Sequence, residues 1–380
     1  MSERWGSWRE PGAAAPLATA TGEANRGWIS PSPLPGRMWA AVAPGPGGPE
    51  VLKLEERPLP EAAPGHVLIR VRTVGVNRGL DLEARQFGPV WGVTFPHVGG
   101  VDAAGEVVAW APGVTGWEAG ERVAVLPWLT CGQCPACRRG QTTACERFAI
   151  WGVHTDGADA EYARVPASLL LRLPEGVDFA EASAAMVSYS VAWHLLVTLG
   201  GVRPSDTVLV LAAGSGIGVA ALQIARLHGA RVLAAAGAPW KLERARELGA
   251  DGGILYHDLP LDEEARRLTG GHGVDLVVDN LGGEYWERAV RSLATGGRLV
   301  TAGVTAGAEV KLNVRHAYRN HLTFYCAEAS LRHEAEAVLD LIARGTLRPV
   351  IQRRYPLARI AEAQEALLSR EVFGKLIIEA

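Results

Sequence analysis

Apolar residues follow two different rhythms along the chain. From Met38 to about residue 165 they form short runs interrupted by Gly and Pro, which is typical of a turn-rich all-β domain. From about residue 174, apolar strands alternate with helical patterns, which predicts an α/β domain with a doubly wound parallel sheet. The predicted strands are 207–211, 231–236, 253–256, 274–279 and 298–302, and the predicted helices include 219–227, 240–248, 285–293 and 331–343.

These rhythms also set the expected domain boundaries. The first residues are rich in Pro, Gly, Ala and Ser without a sustained period, so we expect a disordered leader, with Met38 opening the folded part. A final strand near 375–378 is expected to rejoin the β domain. The predicted segments are the leader (1–37), the mainly-β domain (38–170), the α/β domain (171–315) and the C-terminal return to the β domain (316–380).

A glycine turn follows the first strand of the predicted parallel sheet. It reads Gly214-Ser215-Gly216-Ile217-Gly218 and leads directly into a helix. Glycines at such a turn let backbone N–H groups approach a pyrophosphate, and the helix N-terminus favours its negative charge. The spacing departs from the strict G-x-G-x-x-G, so an ordinary tight β–α turn is the alternative. We expect the turn to bind a dinucleotide.

The end of the second predicted strand indicates which dinucleotide is bound. An acid there binds the ribose 2′-hydroxyl of NAD, but this chain has Ala236, with Lys241 shortly after it. Without a carboxylate to repel a 2′-phosphate, we expect NADP(H) rather than NAD(H), unless Lys241 is only a solvated lysine at a helix start. The nicotinamide is expected near Asn280 and Gly303, which follow the fourth and fifth strands.

Four of the five cysteines are clustered as Cys131-x2-Cys134-x2-Cys137-x7-Cys145. Thiolates at this density can close a tetrahedral zinc site. An iron–sulfur cluster is an alternative, although the fourth cysteine comes seven residues on and no proline follows it. Disulfides would need an oxidising compartment, and nothing in the sequence signals secretion. We therefore predict one structural zinc, and we expect the fifth cysteine, Cys326, to be a small buried residue.

The composition excludes several classes of function. The net charge of −3 and the 21% charged residues describe a soluble globular protein with no basic surface for nucleic acid. No charge falls between Glu181 and Arg203 or between Asp206 and Arg226, but serines and glycines interrupt both stretches. A buried helix and a buried strand–turn fit them better than membrane spans. We expect a cytoplasmic protein.

Together these motifs resemble the medium-chain dehydrogenase/reductase superfamily. The resemblance runs from Met38 to Ala380 and implies a GroES-like catalytic domain, a Rossmann domain and an active site in the cleft between them. It also implies a small-molecule substrate and a homodimer or homotetramer. The segments that carry it are PHVGGVDAAG (96–105), GWEAGERV (116–123), the four-cysteine segment, AEY (160–162) and the glycine turn.

The positions of a second, catalytic zinc depart from that family's pattern. Zinc alcohol dehydrogenases hold this ion with a Cys, a His and a later Cys or acid. The resemblance places Asn77 and Val101 at the first two positions and the third near Val187. Valine cannot bind a metal, and an Asn amide is a poor replacement for a thiolate. The alternative is a rebuilt oxygen/nitrogen site made by Asp81, Asp102 and His154.

The segment Val76-Asn77-Arg78…Asp81 is instead similar to the zinc-independent quinone oxidoreductase branch. That similarity implies that Tyr256 and Arg370 also contact the 2′-phosphate. It implies a reductase in which no metal polarises the substrate. Alcohol oxidation would suffer most from that loss, whereas a quinone or an α,β-unsaturated carbonyl spreads the developing charge by conjugation.

We therefore predict an enzyme that reduces a quinone or an α,β-unsaturated carbonyl with NADPH. Asn77 is the candidate hydrogen-bond donor to the acceptor oxygen, and a backbone-stabilising Asn is its alternative. His194 and Tyr189 are candidate proton donors, although both lie in an apolar helix typical of core residues, and solvent is another proton source. Two other functions remain open: an alcohol or aldehyde dehydrogenase with a rebuilt metal site, and a nucleotide-binding protein without catalysis.

Overall fold

The computed structural model describes residues 26–380, and these form two compact units. The first unit comprises the chain up to Met186, together with Arg353–Glu371 and Leu376–Ala380. The second comprises Val187–Gln352 and Val372–Lys375. Below, the two are called the β unit and the parallel-sheet unit.

The β unit is organised around one long strand, β3 (His66–Gly75), which alternates little and is buried along most of its length. It pairs antiparallel with three other strands, so its backbone groups are satisfied on both edges. The main sheet has the order β10-β6-β5-β3-β18-β17, with β9 also on β3, and a smaller sheet has the order β2-β1-β4. The remaining strands are β1 (Arg37–Ala43), β2 (Lys53–Pro58), β4 (His97–Val98), β5 (Asp102–Trp110), β6 (Arg122–Val125), β7 (Trp128–Leu129), β8 (Ala149–Ile150), β9 (Tyr162–Pro166), β10 (Leu170–Arg172), β17 (Ile351–Pro356) and β18 (Lys375–Glu379).

Few helices interrupt the β unit. They are α1 (Ala84–Phe87), which continues a π-helix at Arg78–Glu83, then α2 (Pro135–Arg138), α3 (Phe179–Ala185) and α11 (Ile360–Leu368). Asp178 begins α3 with a capping box, since its side chain accepts from the Ala180 N–H and Glu181 reaches back to the Asp178 N–H. The prediction of a mainly-β domain is confirmed.

The end of the predicted leader is part of this unit. Trp28 is 4% exposed and packs in a core cluster with Met38, Leu59 and Leu68. Ile29 exchanges two backbone hydrogen bonds with Trp110 of β5. The prediction of a disordered leader is therefore wrong for residues 26–37, because one large aromatic side chain supplies the buried area that the composition of the segment hides. Its part covering residues 1–25 lies outside the described residues.

The parallel-sheet unit confirms the predicted strand–helix alternation. Its six strands have the order β13-β12-β11-β14-β15-β16, the doubly wound order of a Rossmann domain. The strands are β11 (Thr207–Val210), β12 (Arg231–Ala236), β13 (Gly252–Leu255), β14 (Val274–Asp279), β15 (Leu293–Thr301) and β16 (Thr323–Cys326). The helices are α4 (Ser188–Trp193) with a π-helix at His194–Leu199, α5 (Gly216–Leu227), α6 (Pro239–Glu247), α7 (Leu261–Leu268), α8 (Trp286–Ser292), α9 (Val314–Arg319) and α10 (Arg332–Ala343).

The predicted boundary at residue 316 requires a correction. β16 pairs in parallel with β15, so this stretch adds a sixth strand to the parallel sheet before the chain returns to the β unit. Cys326, expected to be buried, ends this edge strand and is exposed. The final strand, β18, pairs with β3 in the β unit as the sequence predicted.

The charge-free stretch after Glu181 is helical, as expected, and most of its residues are buried. No single helix among the described residues is long and apolar enough to cross a membrane. Two consecutive helical segments, Phe179–Ala185 and Ser188–Leu199, meet the criteria of length and apolarity only together, and the chain bends by 45° between them.

Candidate functional site

The four cysteines of the β unit converge on one point. Their Sγ atoms all lie within 4.8 Å of one another, and that of Cys131 lies 4.0 Å from Cys137 and 3.5 Å from Cys145. Four sulfurs bound tetrahedrally at the usual zinc–sulfur distance would be about 3.8 Å apart, which these separations bracket. Cys131, Cys134, Cys137 and Cys145 therefore fit a closed zinc site that leaves no position for a substrate.

The backbone around this site favours thiolates. The N–H of Cys131 donates to the Sγ of Cys145 over 3.3 Å, and the N–H of Cys134 donates to the Sγ of Cys131 over 3.4 Å. Hydrogen bonding, above all from the backbone of Gln133, lowers the pKa of Cys131 to about 6. Burial raises the pKa of Cys137 to about 12, and a bound cation would favour the loss of this proton.

The glycine turn in the parallel-sheet unit has the geometry of an anion site. α5 begins at Gly216, and the Ser215 side chain caps it by accepting the N–H of Gly218 over 3.0 Å. The N–H groups of Gly216 and Ile217 belong to the first turn and have no partner within the helix. A Cβ at Gly218 would lie 2.8 Å from the Cα of Ala213, so only glycine allows this close packing of helix on strand.

Two residues beside the turn were missed from the sequence. A Cβ at Gly216 would lie 2.6 Å from the Oγ of Ser188 and 3.0 Å from the Cδ of Lys375. The carbonyl of Gly214 accepts the N–H of Gly374 over 2.9 Å, which ties the C-terminal segment to the turn. The buried side chain of Lys375 therefore runs beside a turn that is suited to phosphate, although nothing in the local sequence around it signals this.

Two of the three predicted 2′-phosphate contacts, Lys241 and Tyr256, lie near the same edge of the sheet. Ala236, at the acid position, is 1% exposed and offers no polar group. The Cδ of Lys241 would lie 3.0 Å from a Cβ at Gly214, so its side chain runs beside the turn. The hydroxyl of Tyr256 would lie 3.3 Å from a Cβ at Gly237, directly after β12. The structure thus brings Lys241 and Tyr256 to the carboxyl ends of the first strands.

The third predicted phosphate contact, Arg370, belongs to the β unit. It follows α11, is exposed and has a left-handed backbone with φ of +62°. Its predicted role toward the cofactor stays a prediction.

Asn280 and Gly303, predicted near the nicotinamide, lie side by side at the carboxyl ends of β14 and β15. A Cβ at Gly303 would lie 2.9 Å from the carbonyl oxygen of Asn280, which also accepts the hydroxyl of Thr305 over 3.1 Å. The Asn280 side chain is only 5% exposed, yet neither its Oδ1 nor its Nδ2 has a partner among the described residues. A buried amide without partners is costly, so this side chain fits a polar ligand group such as a carboxamide or a ribose.

In the β unit, Asn77 is bound to two acidic neighbours. Its backbone N–H donates to the Oδ2 of Asp81 over 2.6 Å. Its side-chain Nδ2 donates to the Oδ2 of Asp102 over 3.0 Å and to the carbonyl of Gly75 over 3.2 Å. β3 and β5 enforce this pairing, because Gly75 and Asp102 lie opposite each other in the register. Both hydrogens of the amide therefore have an acceptor within the protein. The sequence alone did not predict these two hydrogen bonds.

The side chains around Asn77 do not form a set of metal ligands among the described residues. Val101, where the family has His, is fully buried. Within residues 26–380, the four cysteines form the one set of three or more His, Cys, Asp or Glu side chains whose ligand atoms come within metal-binding reach. The rebuilt site expected as an alternative, Asp81 with Asp102 and His154, is not such a set. Burial lowers the pKa of His154, whose Nδ1 lies 2.9 Å from the backbone nitrogen of Ile150.

His194 forms a buried pair in the parallel-sheet unit. Its Nδ1 lies 2.9 Å from the Oε1 of Glu334, at the start of α10, and the two side chains are 5% and 1% exposed. Glu334 also accepts the hydroxyl of Thr198 and, over 2.7 Å, the N–H of Leu331. Burial acts to raise the pKa of Glu334, but the hydrogen bonds from His194, Thr198 and Leu331 together lower it. This geometry supports a structural role for His194 and gives none to proton donation.

Tyr189 is likewise committed to the core. It is 1% exposed, its hydroxyl donates to the carbonyl of Arg348 over 3.0 Å, and it accepts from the Nε2 of Gln223 over 2.8 Å. Burial raises the pKa of Tyr189, which makes its hydroxyl a weaker acid. It therefore links α4, α5 and the segment before β17, and its predicted role as a proton donor finds no support.

Comparisons with known proteins agree with both units. A family profile described as alcohol dehydrogenase GroES-like domain matches residues 63–175, and one described as zinc-binding dehydrogenase matches residues 216–344. L-galactonate-5-dehydrogenase of Escherichia coli is 30% identical over 333 residues, which cover 83% of this chain and 92% of that protein. Acryloyl-coenzyme A reductase of Metallosphaera sedula is 28% identical over 337 residues, covering 87% and 96%.

A solved structure of an NAD-dependent alcohol dehydrogenase superposes with a TM-score of 0.86. It is 40% identical in sequence and covers 90% of this chain and 100% of its own. The two family profiles span the four-cysteine segment and the last three residues of the glycine turn, 216–218.

Proposed function

Because the chain belongs to the medium-chain dehydrogenase/reductase superfamily and is a nicotinamide-dependent oxidoreductase with a zinc-type alcohol-dehydrogenase-like fold, we propose that it reduces a quinone or an α,β-unsaturated carbonyl with NADPH, without a catalytic zinc.

The observation that carries the proposal is the hydrogen bond between Asn77 and Asp102. The Nδ2 group of Asn77 donates one hydrogen to the Asp102 carboxylate and the other to the Gly75 carbonyl. Asn77 thus turns its N–H donors toward this position, and N–H donors repel a cation. A metal ion beside Asp102 would have to displace this bond to a fully buried carboxylate. Val101 then contributes no ligand at all. The side chains present do not fit the second zinc of an alcohol dehydrogenase.

Without that ion, the acceptor must be activated in itself. A catalytic metal both polarises a carbonyl and lowers the pKa of an alcohol, an effect of several kcal/mol in general. A conjugated C=C or a quinone delocalises the developing charge, and hydrogen bonds can stabilise an enolate. The acryloyl-coenzyme A reductase of Metallosphaera sedula is named for an α,β-unsaturated thioester, which is an acceptor of this kind.

The parallel-sheet unit offers the groups to hold a dinucleotide. Gly216 and Ile217 would direct N–H groups at the pyrophosphate with Lys375 beside them, and the unpartnered amide of Asn280 would hold the nicotinamide end. The cofactor would supply a hydride. Lys241, with no carboxylate at Ala236, supports NADP(H), whereas the 40%-identical solved structure is named NAD-dependent.

In the β unit, Asn77 remains the proposed contact for the acceptor oxygen. Its longer hydrogen bond, 3.2 Å to the Gly75 carbonyl, is the one that an acceptor oxygen would replace or share. The bond to Asp102 would then orient the amide. Since His194 and Tyr189 are engaged in the core, we propose that the proton comes from solvent.

Three measurements test this function. NADPH and NADH oxidation should be followed with a panel of enones, enoyl thioesters and quinones, and alcohol oxidation with and without added zinc. We expect turnover of the conjugated acceptors with a lower KM for NADPH, and one zinc per chain by metal analysis. Alcohol oxidation that requires added zinc, with no turnover of enones or quinones, would establish the rival alcohol dehydrogenase and refute the proposal.

A variant sharpens the metal test. Asn77→Cys combined with Val101→His restores two of the family's ligand types. We expect this double variant to bind more than one zinc per chain and to lose enone reduction. The matched single variant Val101→Leu should keep the wild-type zinc content and the wild-type rate of enone reduction. We also propose a homodimer or homotetramer, which light scattering of the purified protein would test.

A further inference from the structure

We propose that His257 binds the 2′-phosphate of NADP(H) at the carboxyl end of β12. The inference rests on the proposed preference for NADPH and adds a specific contact to it. His257 follows β13 and Tyr256, at the edge of the sheet where the adenosine ribose is bound in Rossmann domains.

The backbone after β12 leaves room for this contact. Gly237 follows Ala236, and a Cβ there would lie 2.8 Å from the Nε2 of His257 and 3.3 Å from the hydroxyl of Tyr256. Any side chain at this position would push both groups aside. Because Gly237 has no side chain, these two polar atoms can lie next to the position of the acidic residue that binds the ribose in NAD-binding domains.

Two aromatic rings hold the imidazole in place. The Tyr256 ring packs edge-on at 4.7 Å between centroids, and the Tyr285 ring lies at 6.4 Å. The hydroxyl of Tyr285 lies 3.3 Å from the Nδ1 of His257. When this hydroxyl donates, the proton of the neutral ring is on Nε2, the atom beside Gly237. Both tyrosines pack against the core of the parallel-sheet unit, so the exposed histidine contacts two rings that the core holds in place.

One basic side chain near this edge can attract an anion. Lys241 runs beside the glycine turn, and the first turn of α6, which carries it, contains no acid. An imidazole N–H and a lysine ammonium are both donors to phosphate oxygens, and an acid at Ala236 is missing. A ribose 2′-hydroxyl would gain far less from His257, so the contact discriminates between the two dinucleotides.

Equilibrium binding tests the contact without catalysis. Adenosine 2′,5′-bisphosphate and 5′-AMP should be titrated calorimetrically into the full-length protein. The variants are His257→Ala, His257→Gln, which keeps a neutral N–H donor, and the matched control His272→Ala. His272 is also exposed, but it precedes β14 and so lies at the opposite, amino-end edge of the sheet.

We expect His257→Ala to weaken the bisphosphate by about tenfold, the usual effect of one hydrogen bond to a charged group. Binding of 5′-AMP should not change, His257→Gln should retain part of the preference, and His272→Ala should match the wild type. If His257→Ala keeps the full preference, His257 is not the contact, and the proposed NADPH preference survives. If the wild type itself binds 5′-AMP as tightly as the bisphosphate, the NADPH preference fails and this contact with it.

Discussion

Replacing His194 by Leu will separate a structural role from a catalytic one. The substitution leaves the carboxylate of Glu334, 1% exposed, without its histidine partner but still bonded to Thr198 and the Leu331 N–H. We expect the free energy of unfolding to fall by about 3 kcal/mol. This value is the upper end of the range for losing one hydrogen bond to a charged group and the lower end of the range for breaking a buried ion pair, because two partners of Glu334 remain. For a unit of this size that corresponds to a fall in Tm of about 6–12 °C.

The assay is thermal unfolding, followed in parallel with steady-state reduction of whichever enone or quinone the enzyme accepts. At a temperature where the variant is folded, kcat should stay within about twofold of the wild type, since a structural pair touches no reacting atom. Adding Glu334→Gln should recover part of the lost stability, because the buried charge is then removed. A variant that kept its Tm but lost kcat by about a hundredfold or more, the size of a general-acid effect, would refute this reasoning and restore His194 as a proton donor.

Three further predictions follow from other parts of the molecule. Cys145→Ser should abolish zinc retention in elemental analysis and lower the Tm of the β unit, and a full zinc content in that variant would contradict the four-cysteine site. Asn280→Leu should weaken dinucleotide binding about tenfold in a fluorescence titration while raising stability without cofactor, since its amide is buried without partners; unchanged affinity would contradict its role. Glu334 has a lowered pKa, so it contributes stability above the pKa of an unfolded Glu, about 4.3, which is lost as the pH falls through the lower folded value. When the free energy of unfolding is measured by denaturation between pH 7 and 3, it should therefore fall less steeply with decreasing pH in Glu334→Gln than in the wild type. The same pH dependence in both proteins would contradict this prediction.

Features set by local sequence were predictable. The strand β12 was predicted at 231–236 and runs over Arg231–Ala236, because alternation and the flanking helix patterns are read within a short window. The glycine turn was found for the same reason. The β16 strand was missed, since a short strand at the edge of a sheet is only half buried and leaves a weak apolar pattern.

Features set by distant parts of the chain were not predictable. The bond between Asn77 and Asp102 depends on the register of β3 against β5, which no local pattern encodes. Lys375 reaches the glycine turn from more than 150 residues later in the sequence. The helix containing His194 was correctly identified as apolar, but its partner Glu334 lies on a separate helix, so its structural role emerged only from the packing.

The last strand of the chain has a consequence for biosynthesis. β18 supplies the strand that pairs with β3, while Gly374 and Lys375, immediately at its start, close over the glycine turn. Domains usually fold one after another as they leave the ribosome. Here neither unit has all of its residues until β18 has been synthesised, so both units must wait for this strand before they can finish folding. Deleting these few residues would leave two unfinished units instead of one.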